Sequence, residues 1–172
     1  MTSRERWAAW EEGRASNNAG VNTLRHDDHA AIRSIKDEVA ASFPAGSRRD
    51  EAIQALAPSK HDSVKVIKDA AGKVVGVGSV WTSADSAQEE GVPDGPMVRV
   101  RNMATVGANN GRELFKAMVG HAKSKQAGIY LSSLEKSRGF YEALGMHQAG
   151  GATYYLTADE VSSIAAHANG GV

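Results

Sequence analysis

Val106 to Arg112, Val-Gly-Ala-Asn-Asn-Gly-Arg, is a glycine-rich turn between an apolar stretch and a helical one. A turn that opens a helix leaves backbone N–H groups without intrahelical partners. With the positive end of the helix dipole, they bind phosphate. The backbone of Val106, Gly107, Ala108, Asn109, Asn110, Gly111 and Arg112 is therefore a candidate phosphate cradle, although a plain strand-to-helix turn reads the same way. Tyr141, beside Phe140, can give a proton to a leaving group or can simply fill a core. His121 and His147 titrate in the range useful for proton transfer. Asp85, Glu89 and Glu90 are carboxylates on an acidic stretch. Arg99 and Arg101 are either a solvated strand face or a site for an anion. His26-Asp27-Asp28-His29 has metal-ligand residue types, but four consecutive residues do not converge on one helix face. An aspartate at a helix start needs no metal, so none is expected. There is no cysteine, which excludes disulfides and thiolate sites. Any group transfer is then direct, without a thiol relay.

The elements that must position these groups follow from periodicity. Residues 3–15 predict a helical arm with Trp7 and Trp10 on one face, docked on its own domain or pegged into a partner or a second copy. Asn17-Asn18-Ala19-Gly20 reads as a linker, placing an arm at 1–20 and a domain at 21–172. Residues 27–42 predict a helix capped by Asp27 or Asp28, with Ala31, Ile32, Ile35, Val39 and Phe43 inward. A third helix is expected over 48–57, with Ile53, Leu56 and Ala57 inward. The period then changes to alternation. Ser63–Lys68 and Lys73–Trp81 predict a hairpin about Asp69–Gly72, with Gly76 and Gly78 marking close packing or a bulge. Residues 83–96 read as a loop, and Met97–Val106 as a strand with Val98 and Val100 opposite Arg99 and Arg101. Residues 112–126 predict a helix that buries Leu114, Phe115, Met118, Val119 and Ala122. Gly128 opens a strand, Glu135–Leu144 a helix ended by Gly145, and Ala152–Leu156 a last strand. Thr157 to Glu160 is a capping box for a final helix.

Phe140-Tyr141-Glu142-Ala143-Leu144-Gly145-Met146 resembles the FY-x-x-LG-F/M signature of the GNAT acetyltransferase superfamily. Leu134 to Met146 is similar to the ending seen in phage-borne members. The order of elements from residue 27 matches that fold over roughly residues 22–160, implying a mixed α/β domain whose central, mostly antiparallel sheet is flanked by helices. The resemblance implies acyl-CoA-dependent N-acetyl transfer to an amine. The turn at 106–112 would hold the pyrophosphate of acetyl-CoA, and Tyr141 would protonate the departing thiolate. Of the family's loop, Q/R-x-x-G-x-G/A, the matching positions are Val106, Asn109 and Gly111, and only Gly111 agrees. Asn109 stands in for glycine because asparagine tolerates the left-handed region. Leu134 occupies the position, seven before the tyrosine, where members often carry asparagine. The strand at 97–106 has no carboxylate where members often place the base. Those departures favour a second reading, a catalytically silent GNAT scaffold serving as a binding or structural component, of a phage particle for example.

Twenty basic and twenty acidic residues balance to zero charge, which argues against a dedicated nucleic-acid binder. A chain of 172 residues buries roughly two-thirds of its unfolded surface as one domain. No apolar run approaches membrane-spanning length, and the charged start, MTSRERWAAWEEG, is no secretory signal. A cytoplasmic location is the expectation, or a virion under the structural reading.

Overall fold

The computed structural model describes residues 18–25, 27–57, 63–83, 91–107, 110–133 and 137–168. The elements run β1 (Asn18–Leu24), α1 (His29–Ser42), α2 (Ser47–Ala55), β2 (Ser63–Asp69), β3 (Val74–Ser83), β4 (Met97–Thr105), α3 (Asn110–Ser124), β5 (Gly128–Ser132), α4 (Arg138–Ala143), β6 (His147–Gly150), β7 (Thr153–Leu156) and α5 (Ala158–Ala168). The strands hydrogen-bond in the order β1-β2-β3-β4-β5-β7-β6. β4 and β5 are parallel, with α3 as the crossover. The pairs β1–β2, β2–β3, β5–β7 and β6–β7 are antiparallel. This is the mixed α/β, mostly antiparallel architecture that the sequence implied. Two compact units make it up, one drawn from residues 16–81 and 100–118, the other from 82–99 and 119–172.

In the first unit, α1 and α2 cover one face of the β2–β3 hairpin. Asp28 caps α1, its Oδ1 accepting from the Ala31 N–H at 3.1 Å. Ile32, Ile35, Val39 and Phe43 from α1 meet Ala52, Ala55 and Leu56 from α2 and Val64, Val66, Val74, Val77 and Ala104 from the strands. The α1 stripe is as expected except that Ala31 is only half-buried, and in α2 Ala57 is exposed while Ala52 is inward. The reason is that α2 ends at Ala55, two residues early, so Ala57 lies past the helix. Arg49 reaches back to cap the end of α1, donating to the carbonyls of Phe43 (2.8 Å) and Ala40 (3.0 Å). A cation at that end also complements the helix dipole. Asp69 holds the hairpin turn, its Oδ1 accepting from Ala71 and Lys73, both at 2.9 Å.

Gly78 is the close approach that its place in a strand implied. A Cβ there would collide with Met118 Cε of α3 and lie 3.1 Å from the Asn102 carbonyl oxygen. The missing side chain lets Leu114 and Met118, both fully buried, sit directly on the strand.

In the second unit, Met97, Val98 and Arg99 pair with Gly128, Ile129 and Tyr130. Gly128 is again a contact glycine, since a Cβ would sit 2.5 Å from the Leu156 carbonyl oxygen. Val161 and Ile164 of α5 are buried, as are Ile129 and Leu131 of β5 and Tyr154 and Leu156 of β7. The capping box forms at the start of α5. Thr157 Oγ1 accepts from the Glu160 N–H at 3.2 Å, and Glu160 Oε1 accepts from the Thr157 N–H at 3.0 Å.

Two elements differ from the sequence expectation. Asn18–Leu24 is a strand where residues 17–20 read as a linker. Its pairing with β2 supplies the hydrogen bonds that its weak local propensity does not. His147–Gly150 is a strand of four polar and small residues that no hydrophobic alternation announced, formed because β7 offers it a hairpin partner.

Candidate functional site

β4 ends at Thr105 and α3 begins at Asn110, so the connection is four residues long. The Val106 N–H donates to the Val75 carbonyl at 2.9 Å, keeping the chain beside β3 one residue past the strand. Gly107 then turns with φ +87°, in the left-handed region that favours glycine. Asn110, 7% exposed, donates from Nδ2 to the Val106 carbonyl oxygen at 2.6 Å. Its amide thereby closes the turn. A Cβ on Gly107 would lie 2.9 Å from that same Nδ2, so turn and clasp require each other. The sequence placed the helix start at Arg112, whereas Asn110, Gly111 and Arg112 already form the first turn of α3. Asparagine favours such a terminus because its side chain bonds local backbone. A helix of 15 residues leaves its first N–H groups without intrahelical partners. Glu113 adds a negative charge in that turn, which favours the helix and competes with any incoming anion. Ala108 and Asn109 lie outside the described residues.

Tyr141 sits on α4, a helix of six residues whose Ser137 N-cap makes no side-chain hydrogen bond. Its C-terminal end is held better. Gly145 takes φ +79°, its N–H donates to the Glu142 carbonyl at 3.0 Å, and the Met146 N–H donates to the Tyr141 carbonyl at 3.2 Å. This is the paired Schellman arrangement that the glycine predicted. Tyr141 is 6% exposed. Phe140 meets it edge-on with ring centroids 5.1 Å apart, and Tyr154 lies at 6.0 Å with a 32° tilt. Burial pushes the Tyr141 phenol up to about 12, so it stays protonated across the physiological range. Tyr154, fully buried, donates its hydroxyl to Glu142 Oε1 at 2.8 Å. Burial first, then that hydrogen bond, raises the Tyr154 phenol as well. Neither Tyr154 nor Glu142 stood out as chemistry in the sequence. The inward alternation of Tyr154 with Leu156 signalled burial, but no local pattern links residues 142 and 154.

Several of the other candidates have structural partners. His147 lies exposed on β6, its Nε2 2.8 Å from Glu160 Oε2, so it joins the capping box. His121 is half-buried in α3. The Arg99 guanidinium lies over the Tyr130 ring at 5.9 Å, while Arg101 is exposed. Asp27 pairs with Arg25 at 3.1 Å, and Asp28 is the helix cap. Among the described residues no cluster of histidine and acidic side chains could hold a metal, and His26 lies outside them. Also outside are Trp7, Trp10, Asp85, Glu89, Glu90 and Leu134. No described helix is long and apolar enough to cross a membrane.

The order of elements, the parallel β4–α3–β5 crossover and the strand-turn-helix ending in Gly145 define the GNAT acetyltransferase fold. Solved structures of that class resemble the chain closely in fold and little in sequence. A tyrosine-to-phenylalanine mutant of the AtaT toxin matches 86% of this chain and 93% of its own, with TM-score 0.59 and 13% identity. The aminoglycoside N-acetyltransferase AAC(6')-Iy in complex with CoA matches 81% and 93%, with TM-score 0.54 and 12% identity. GCN5 of Tetrahymena matches 80% and 95%, with TM-score 0.53 and 12% identity. Other structures of AtaT hold acetyl-CoA, as the AtaTR complex, or acetyl-methionyl-tRNAfMet. No family model matches the sequence, and no curated protein matches it either.

Proposed function

We propose that the protein transfers an acetyl group from acetyl-CoA directly to an amine. The observation that carries this reading is the turn between β4 and α3. Gly107 in the left-handed region and the Asn110 clasp present the first-turn N–H groups of a long helix in the fold whose relatives bind CoA at all. The pyrophosphate would take those N–H groups, drawn from Val106 to Arg112, as its hydrogen-bond donors.

In the transfer, the neutral amine attacks the thioester carbonyl, the C–S bond breaks, and the thiolate leaves. Tyr141, protonated and held among aromatic rings, donates to the sulfur as its charge develops. The described part of β4 offers Arg99, Arg101, Asn102 and Thr105 but no carboxylate to take the proton from the amine. That proton leaves through water.

Calorimetric titration with acetyl-CoA tests the first step, and no heat of binding at millimolar ligand would remove the reading. Tyr141→Phe should then lower transfer by about a hundredfold while binding changes by no more than about threefold. Acceptor panels covering small amines, peptides and aminoacyl-tRNA discriminate the amine class. The last is included because the structurally similar AtaT is solved in complex with acetyl-methionyl-tRNAfMet, although the balanced charge of this chain does not favour nucleic acid. Binding without transfer to any acceptor would instead support the silent scaffold, whose partner contact would be sought at Trp7 and Trp10.

A further inference from the structure

We infer that Tyr154 and Glu142 are positioning residues for Tyr141, fixing the direction in which its hydroxyl points. The inference rests on Tyr141 being the proton donor.

α4 is too short to hold its own conformation. Six residues form at most a turn and a half of helix, and isolated helices below about 12 residues are marginal in water. Ser137 adds no side-chain cap. The Schellman bonds at Gly145 and Met146 fix where the helix ends, and buried Tyr141 and Leu144 seat its inner face. Tyr154 adds a tie from the sheet. It belongs to β7, is fully buried, and pairs across the strand with Leu131, so its ring is fixed by the sheet. Its hydroxyl donates to Glu142 Oε1 at 2.8 Å. A buried hydroxyl without a partner is costly, so this bond is not easily surrendered. Glu142 is the residue after Tyr141, about 100° further around the helix. Any rotation of α4 that stretches the bond therefore turns Tyr141 by the same angle. The two tyrosine rings also touch, with centroids 6.0 Å apart, so the sheet bears on Tyr141 from the side as well as through the tie. A proton donor misdirected by about an ångström loses much of its effect.

The test uses the full chain with ring-13C-labelled tyrosine. The Tyr141 signal is assigned by its loss in Tyr141→Phe. Tyr154→Phe keeps the core volume, and Glu142 is exposed, so the variants at both positions fold. Tyr154→Phe and Glu142→Ala should shift or broaden the Tyr141 signal. Glu142→Gln, whose amide oxygen accepts the same hydroxyl, should leave it in place. In acetyl transfer the first two should lower kcat by about tenfold or more, with the KM for acetyl-CoA within about twofold, and Glu142→Gln should restore the rate. A Tyr141 signal indifferent to Tyr154→Phe overturns the inference, as does an unchanged kcat, or a Glu142→Gln as impaired as Glu142→Ala. If the wild-type chain transfers nothing, the transfer reading fails by that result alone, and the Tyr141 signal still decides whether the tie orients the ring.

Discussion

Tyr141 carries the proposed chemistry and also leaves a thermodynamic trace. Its phenol ordinarily titrates near 10.0 and is pushed up to about 12 by burial. Between those values the unfolded chain has released a proton that the folded protein keeps. Stability then falls by about 1.4 kcal/mol for each pH unit crossed, complete below pH 10 and lost as pH rises through the folded value. Tyr154 is raised too and acts in the same direction. Urea midpoints measured from pH 9 upward should decline less steeply in Tyr141→Phe than in the wild-type chain, and equal slopes would show that this phenol is not desolvated. Gln126 shows backbone strain at a helix end. It ends α3 with φ 53°, a left-handed conformation, while its N–H donates to the Lys123 carbonyl and the Ala127 N–H to the Ala122 carbonyl, both at 3.0 Å. The geometry is that of Gly145, but the residue carries a Cβ. Gln126→Gly should stabilise the protein by about 0.5–1 kcal/mol in denaturant unfolding, since the left-handed penalty for a side chain exceeds the entropic cost of glycine.

At the scale of elements, two glycines set how closely β3 and β5 are approached, and they should not respond alike. At Gly128 a Cβ would face the backbone oxygen of Leu156 at 2.5 Å and Met97 Sδ at 2.7 Å. At Gly78 the nearest atom is the end of the Met118 side chain, which can swing aside. Gly128→Ala should cost about 2–3 kcal/mol and Gly78→Ala clearly less, because backbone cannot yield as a methionine terminus does. If thermal unfolding ranks them the other way, α3 is pressed on β3 more rigidly than its contacts imply. The helices were largely legible for a local reason. Asp28, the apolar stripes of α1 and α3, Gly145 and the Thr157–Glu160 box act within four residues of each other, the range over which sequence speaks directly. β1 and β6 were not, because short polar strands exist through their ladders, and the partner of a ladder is not written beside it.

For the whole molecule, the prediction is a ligand effect. A chain that binds acetyl-CoA only when folded gains about 2.7 kcal/mol at ligand a hundredfold above Kd, which for this size is a rise in Tm of about 5–10 °C. What the chain shares with the solved structures it resembles is the fold, at identities of 12–14% and TM-scores of 0.53 to 0.59. An unchanged melting curve at millimolar acetyl-CoA would mean that this chain keeps the scaffold without the ligand.

The sequence by itself determined the architecture and the landmarks of the candidate site. The turn at Gly107, the helix after it and the Phe140–Gly145 ending are each specified by neighbours a few residues apart, through dihedral preference, capping and helical period. Only the tertiary structure decided what surrounds those landmarks. The Asn110 clasp on Val106 moved the helix start, α3 came to rest on Gly78, and the Tyr154 hydroxyl found Glu142 twelve residues earlier. Burial decided the state of Tyr141, and burial is a property of chain segments brought together from afar, which no local spacing encodes.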